Sequence, residues 1–285
     1  MPGGRWRAVT PHFNWAEDAR IPVEFSAAAY RFGHSLVRNM YALQAGTEIP
    51  ALFTRFKDGV PIQDDLRGRR PLSANHVLQW FRFLALPSTA AERAPGETAH
   101  HALQPARAID SLMAEALVNL PVPPAAERQA DERAAAIPSL ALRNLLRGEA
   151  MQLPSGQAVA KAMGLTAPAV LRADNVAAPF TVERQYRDES VPRLAKSEAQ
   201  HLDDLFSDAT PLWYYVLKEA EVICAGQQLG PVGGAIVGEV FGGLLAADAD
   251  AFLNSAPNWR PTPGRFGAES ADVYNLENLV AFASG

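Results

Sequence analysis

The stretch Glu24-Phe25-Ser26-Ala27-Ala28-Ala29-Tyr30-Arg31-Phe32-Gly33-His34-Ser35 carries an arginine and a histidine three residues apart inside an apolar run. Residues at that spacing share one helix face, so Arg31 and His34 can address the same ligand. Pro22 suits a first helical turn, Glu24 suits its positive end, and no proline interrupts Val23 to Leu43. Apolar residues fall on two faces, Phe25, Ala29, Phe32, Leu36 and Met40 on one and Ala27, Tyr30, Val37 and Tyr41 on the other. That is the pattern of an internal helix, so a buried helix from Pro22 to Leu43 is expected to turn His34 toward a cavity. Two roles for the histidine remain open from the residues alone. A neutral imidazole binds a metal such as haem iron, with the guanidinium pairing a carboxylate; equally, a core histidine can sit hydrogen-bonded with no ligand.

Outward from this segment, residues 1–20 read as an irregular lead-in and 45–71 as short turns rich in Gly, Pro and charge. A helix is expected from Ser73 to Leu86, stopped by Pro87, then a surface loop over 88–105 and a helix over 106–119 that ends at Pro121-Val122-Pro123-Pro124. A helix around 139–150 follows, and Leu153-Pro154-Ser155-Gly156 opens another that closes at Gly164. Thr210-Pro211 gives a capping hydroxyl and a first-turn proline to a helix running to Gly226. The next helix, Pro231 to about Ala246, carries Gly234, Gly238 and Gly242 at four-residue spacing, a ridge where another backbone could approach closely. Its length of roughly 15 residues and its internal Glu239 argue against a membrane span. With no strand-dominated region and no fixed-period repeat, the expected fold class is mainly α.

Tyr30-Arg31-Phe32-Gly33-His34-Ser35 resembles the Phe/Tyr-Arg-Phe/Tyr-Gly-His-Ser/Thr motif around the proximal histidine of animal-type haem peroxidases, in their bacterial members. Asn144-Leu145-Leu146-Arg147-Gly148 with Leu153-Pro154 is similar to that family's Asn-x-x-Arg stretch and its following Leu-Pro pair. Pro211-Leu212-Trp213-Tyr214-Tyr215, Leu229-Gly230-Pro231-Val232-Gly233-Gly234 and Glu239 resemble its closing helices, followed by Phe252-Leu253-Asn254 and Pro257-Asn258-Trp259-Arg260. The resemblance covers most of residues 10–262. It implies a helical haem-peroxidase-like bundle with 1–285 as a single domain, the family's proximal, C-terminal part. His34 would be the axial ligand of the haem iron. Asn144 would accept a hydrogen bond from the ring's other nitrogen, and Arg31 and Arg147 would lie by the propionates. The haem would be b-type and non-covalent, and calcium is not expected in this chain.

The family's distal histidine and arginine, which move the peroxide proton and polarise the O–O bond, normally precede the proximal helix. None of the 33 residues before His34 forms its Gln-x-x-x-His stretch or calcium-binding segment. No catalytic residue is therefore nominated, and a further N-terminal segment or another subunit is expected to complete the site. His12, His76, His100, His101 and His201 read as surface residues. Arg31 stands where the related fatty-acid oxygenases carry tyrosine, which favours the peroxidase branch. The implied activity is a haem peroxidase in which hydrogen peroxide oxidises small organic or halide donors; the alternative is a catalytically inactive helical remnant or interaction module.

A net charge of -5 over 285 residues leaves no basic field to gather nucleic acid or an anionic membrane. The single cysteine, Cys224, has no internal disulfide partner and reads as a buried thiol. Met1-Pro2-Gly3-Gly4-Arg5-Trp6 holds no apolar run of the signal-peptide kind, so a cytoplasmic address is the default expectation.

Overall fold

The computed structural model describes residues 20–47, 49–53, 56–57, 60–61, 64–67, 71–121, 137–165, 206, 209–259 and 275–283. The chain is mainly helical. Its helices are α1 (Val23–Ala27), α2 (Ala99–Ala102), α3 (Glu115–Val118), α4 (Leu140–Ala150), α5 (Gly156–Ala162), α6 (Leu212–Cys224), α7 (Pro231–Ala247), α8 (Phe252–Ser255) and α9 (Leu276–Ala283). A 3₁₀ helix, Ala29–Leu36, follows α1, and a two-residue antiparallel pair joins β1 (Phe56–Lys57) to β2 (Val60–Pro61). The described residues fall into two compact units. One draws on Met1–Leu36, Ala108–Met113 and Ser139–Ala249; the other on Val37–Arg107, Ala114–Pro138 and Asp250–Gly285.

The first unit is built around α6. Its Leu212, Trp213, Tyr215, Val216, Leu217 and Ala220 are all buried, on more than one face, because α4, α5, α7 and the 3₁₀ helix pack against it. Each large apolar side chain so buried contributes roughly 1.5–3 kcal/mol of transfer free energy. The helix starts follow the expected chemistry: Ser139 Oγ accepts from Leu142 N (3.3 Å) and Ser155 Oγ from Ala158 N (3.2 Å), each satisfying an otherwise orphaned N–H. Thr210 departs from expectation. Pro211, not the threonine, occupies the N-cap of α6, and the Thr210 hydroxyl instead donates to Phe206 O and accepts from Gln157 Nε2 (both 2.7 Å).

Close packing also falls elsewhere than expected. Around Gly238 and Gly242 no described atom lies within 4 Å of where a Cβ would stand, so the glycine ridge of α7 is not a packed seam. Tight approaches fall instead at Gly156, where a Cβ would collide with the Tyr215 side chain, and in the first turn of α7 at Gly233, where it would press on Val216.

The helix expected from Pro22 to Leu43 is replaced by a five-residue α1 and the eight-residue 3₁₀ helix, with no helix beyond Leu36. Ser35 Oγ donates back to Phe32 O (2.9 Å), competing for a carbonyl that a continuing helix would use. From Asn39 the backbone pairs with 50–52 through Leu52 N to Asn39 O (2.7 Å) and Tyr41 N to Pro50 O (3.3 Å). Tyr30 and Met40, expected inside, are exposed.

In the second unit, the helix expected over Ser73–Leu86 is two 3₁₀ turns, Ala74–His76 and Trp80–Arg82. Between them Gln79 N donates to Leu43 O (3.0 Å), and its side chain accepts from Ala45 N and Arg82 Nε (3.0 and 2.9 Å), so tertiary pairing displaces the helical ladder. Arg82 is buried in a bidentate pair with Glu97 (3.0 and 2.9 Å). The helix expected over 106–119 contracts to α3, because Asp110 Oδ1 accepts from Leu112 N (2.9 Å) and turns the chain first. The lead-in over residues 1–19 lies outside the described residues, as does Arg260.

Candidate functional site

The 3₁₀ geometry of Ala29–Leu36 decides how Arg31 and His34 are presented. With three residues per turn, positions i and i+3 eclipse, so the two side chains lie on the same face, where both reach Asn144 of α4. Arg31 is held at both ends. Its carbonyl accepts from Trp213 Nε1 at 3.4 Å, and its Nε donates to Ser26 O at 3.0 Å.

Asn144 sits on the inner face of α4, fully buried. Arg31 NH1 donates to Asn144 Oδ1 at 3.0 Å, and Asn144 Nδ2 lies 3.0 Å from His34 Nδ1. The orientation of that amide is set by chemistry. A guanidinium has only donors to offer, so the oxygen must face Arg31 and the NH₂ must face the ring. His34 Nδ1 is then an acceptor, and in the neutral ring the proton sits on Nε2. Turning the amide about would set two donors against each other at 3.0 Å.

Burial, with the Arg31 guanidinium second, holds the half-buried imidazole below its ordinary pKa of 6.5, so the ring is neutral at physiological pH. Burial, then the neighbouring Arg147, likewise lowers Arg31, which still keeps its charge. Arg147 is exposed one turn beyond Asn144 on α4. Among the described residues no acid forms an ion pair with either Arg31 or Arg147.

Three of the four residues singled out in the sequence, Arg31, His34 and Asn144, thus form one contiguous network, and the fourth, Arg147, lies close enough to perturb Arg31. The Asn144–His34 contact is as close as expected, but the asparagine donates to the ring here, where the resemblance had it accept. A cavity of about 450 Å³ in the same unit is lined by Pro22, Glu24, Val159, Ile236, Glu239 and Val240 among others, and not by His34 or either arginine.

The other histidines divide. His100 and His101 are exposed on α2, while His12 and His201 lie outside the described residues. His76 is a correction: its side chain is only 5% exposed, with Nε2 2.7 Å from Asp64 Oδ2. Cys224, expected buried, is partly exposed. Among the described residues no group of three or more His, Cys, Asp or Glu is placed to hold a metal ion, and no helix is long and apolar enough to cross a membrane.

Sequence reasoning missed Glu219. This fully buried carboxylate accepts from Val232 N (3.0 Å to each oxygen) and Gly233 N (3.0 Å), closing the N-terminus of α7 across 13 residues of chain. Gly230 leaves room for it, since a Cβ there would collide with the Glu219 side chain. Burial pushes its pKa up to about 6 against the pull of those N–H groups. The signal was present as Lys218-Glu219 embedded in the apolar run of α6. No family model, no curated protein and no solved structure matches this chain.

Proposed function

We propose that this chain supplies the proximal side of a haem peroxidase, with His34 as the axial ligand through Nε2 and hydrogen peroxide oxidising small donors. The observation that carries the reading is a buried neutral asparagine on the Nδ1 edge of a neutral imidazole, with two guanidiniums beside it. A neutral acceptor on Nδ1–H is what fixes a histidine to present Nε2 to a metal, and Asn144 would fill that role once its amide turned its oxygen toward the ring. Arg31 and Arg147 bring two positive charges to a place with no acid of its own among the described residues, which suits a pair of propionates.

The donor set fits a b-type haem, needing a single imidazole and carboxylate partners rather than a cluster of metal ligands. When bound, haem would supply the oxidising chemistry. The chain's own residues do the rest. Asn144 orients the ring, Arg31 and Arg147 hold propionates, and α6 braces the Arg31 backbone through Trp213. The distal acid–base and electrostatic groups would come from elsewhere, each worth roughly two or more orders of magnitude in rate. Slow turnover by these 285 residues alone is therefore the expectation.

A second reading is favoured by one feature: the Arg31 side chain already bonds Asn144 and Ser26 without any ligand. A network so closed also suits a helical interaction module that has lost turnover. Titrating haem into the purified chain beside His34→Ala separates the two. Saturable binding with an imidazole-ligated absorption spectrum, lost in His34→Ala, supports the haem reading, while indistinguishable titrations favour the module.

A further inference from the structure

Arg31, Asn144 and His34 satisfy one another in an arrangement that leaves the imidazole unable to ligate through Nε2. Asn144 is fully buried, so no bulk water can substitute for a missing partner. Its oxygen is committed to Arg31 and its NH₂ to His34 Nδ1. Nε2 therefore carries the proton, and the only ring lone pair points at Asn144. Ligation through Nε2 requires that proton to leave and another to arrive on Nδ1. The amide must then turn over so that its oxygen accepts from Nδ1–H, which cannot happen while Arg31 holds that oxygen.

The hold on Arg31 is exchangeable. Both of its side-chain acceptors, Ser26 O and Asn144 Oδ1, are neutral oxygens, whereas a carboxylate would bring an opposite charge and two oxygens that the planar guanidinium can meet together. Arg147, whose like charge adds to burial in lowering Arg31, adds a further pull toward any anion placed between them.

Resting on the haem reading, we infer that Arg31 is a positioning residue that gates His34. Bound to Asn144 it locks the imidazole in the Nε2–H form; a carboxylate that takes the guanidinium frees Asn144 to turn over and opens Nε2 to a metal. Carboxylate binding and metal ligation are thereby coupled, each strengthening the other by the same factor. The step is a tautomer change, with one proton passing from Nε2 to solvent and one from solvent to Nδ1, and no change of oxidation state.

Two measurements test the gate. In ¹⁵N-histidine-labelled chain free of haem, ring nitrogen shifts should place the His34 proton on Nε2 in the wild type and on Nδ1 in Asn144→Asp, whose side chain can only accept. A wild-type ring protonated on Nδ1 would overturn the gate. The second measurement compares ferric protoporphyrin IX with its dimethyl ester, which lacks free carboxylates. A plain ion pair predicts that Arg31→Met weakens binding of the free acid and leaves the ester unchanged. The gate predicts in addition that the ester binds more tightly to both Arg31→Met and Asn144→Asp than to the wild type, by about tenfold, the lower end of what one hydrogen bond to a charged group sets. An ester affinity unmoved in both variants contradicts it. If neither porphyrin binds through His34 in any variant, the haem reading fails, and the proton position alone decides the lock.

Discussion

Two buried polar sites in the same helical unit are built on opposite plans. At the start of α7, Glu219 brings a carboxylate into the core and meets it with backbone N–H groups of the helix's first turn. At α4, Asn144 brings no charge, and it stands between a cation and a ring whose proton can move. The first site is closed: every donor around the carboxylate belongs to the fold, and removing any one simply costs stability. The second contains a choice, since the asparagine has two orientations, the imidazole two tautomers, and the arginine an alternative class of partner. A buried polar group with one solution is architecture. One with two solutions, selected by a neighbouring charge, is where a ligand can act.

The sharpest way to break this contrast is Asn144→Leu, which fits the site by size but strands Arg31 NH1 and His34 Nδ1 together. Losing one bond to a charged group and one to a neutral group should cost about 3 kcal/mol in urea unfolding. Glu219 gives a smaller effect with a distinctive sign. Its pKa is raised to about 6, so the folded state binds the proton more tightly than the unfolded chain does. This group therefore adds stability as the pH falls from about 6 to about 4.5, by roughly 2 kcal/mol, and the increment is lost again as the pH rises through 6. Glu219→Gln should flatten that part of the stability–pH curve. His34 runs the other way. Its pKa is depressed, so its contribution is present above 6.5 and lost on acidification. In the His34→Ala variant, the acid-side loss of stability should shrink while the Glu219 gain remains. The smallest effect is expected of Ser139→Ala, which removes the cap that starts α4 and so loosens the element carrying Asn144. About 1 kcal/mol of stability should go, with a modest loss of haem affinity.

The same contrast explains what was legible in the sequence. Helices α5, α6 and α7 announced themselves through local signals, Ser155, Pro211 and Pro231 at their starts and Gly164 and Gly226 just past two of their ends, while α4 was placed around 139–150 with its Ser139 cap unread. Where the expected helices failed, a long-range bond had displaced the local ladder: Leu52 to Asn39, Gln79 to Leu43, and Ile109 N to Gly226 O at 2.8 Å. Hydrophobic period carries no trace of such bonds. Within the site, Arg31 and His34 were readable as a pair from their spacing, but Asn144 was reached only by resemblance, because it lies 110 residues from His34 in sequence. The direction of the amide could not be read at all. It depends on Arg31 meeting Asn144, and only the folded 3₁₀ segment brings that about. Glu219 escaped notice because capping signals are sought within one turn of a helix start, and its partners are 13 and 14 residues away.

Resonance Raman spectroscopy of the ferrous, haem-loaded chain tests the central claim most directly, since it reads the iron–imidazole bond itself. The account predicts an iron–histidine stretching band in the wild type that is absent in His34→Ala. A spectrum that is the same in both proteins would contradict it.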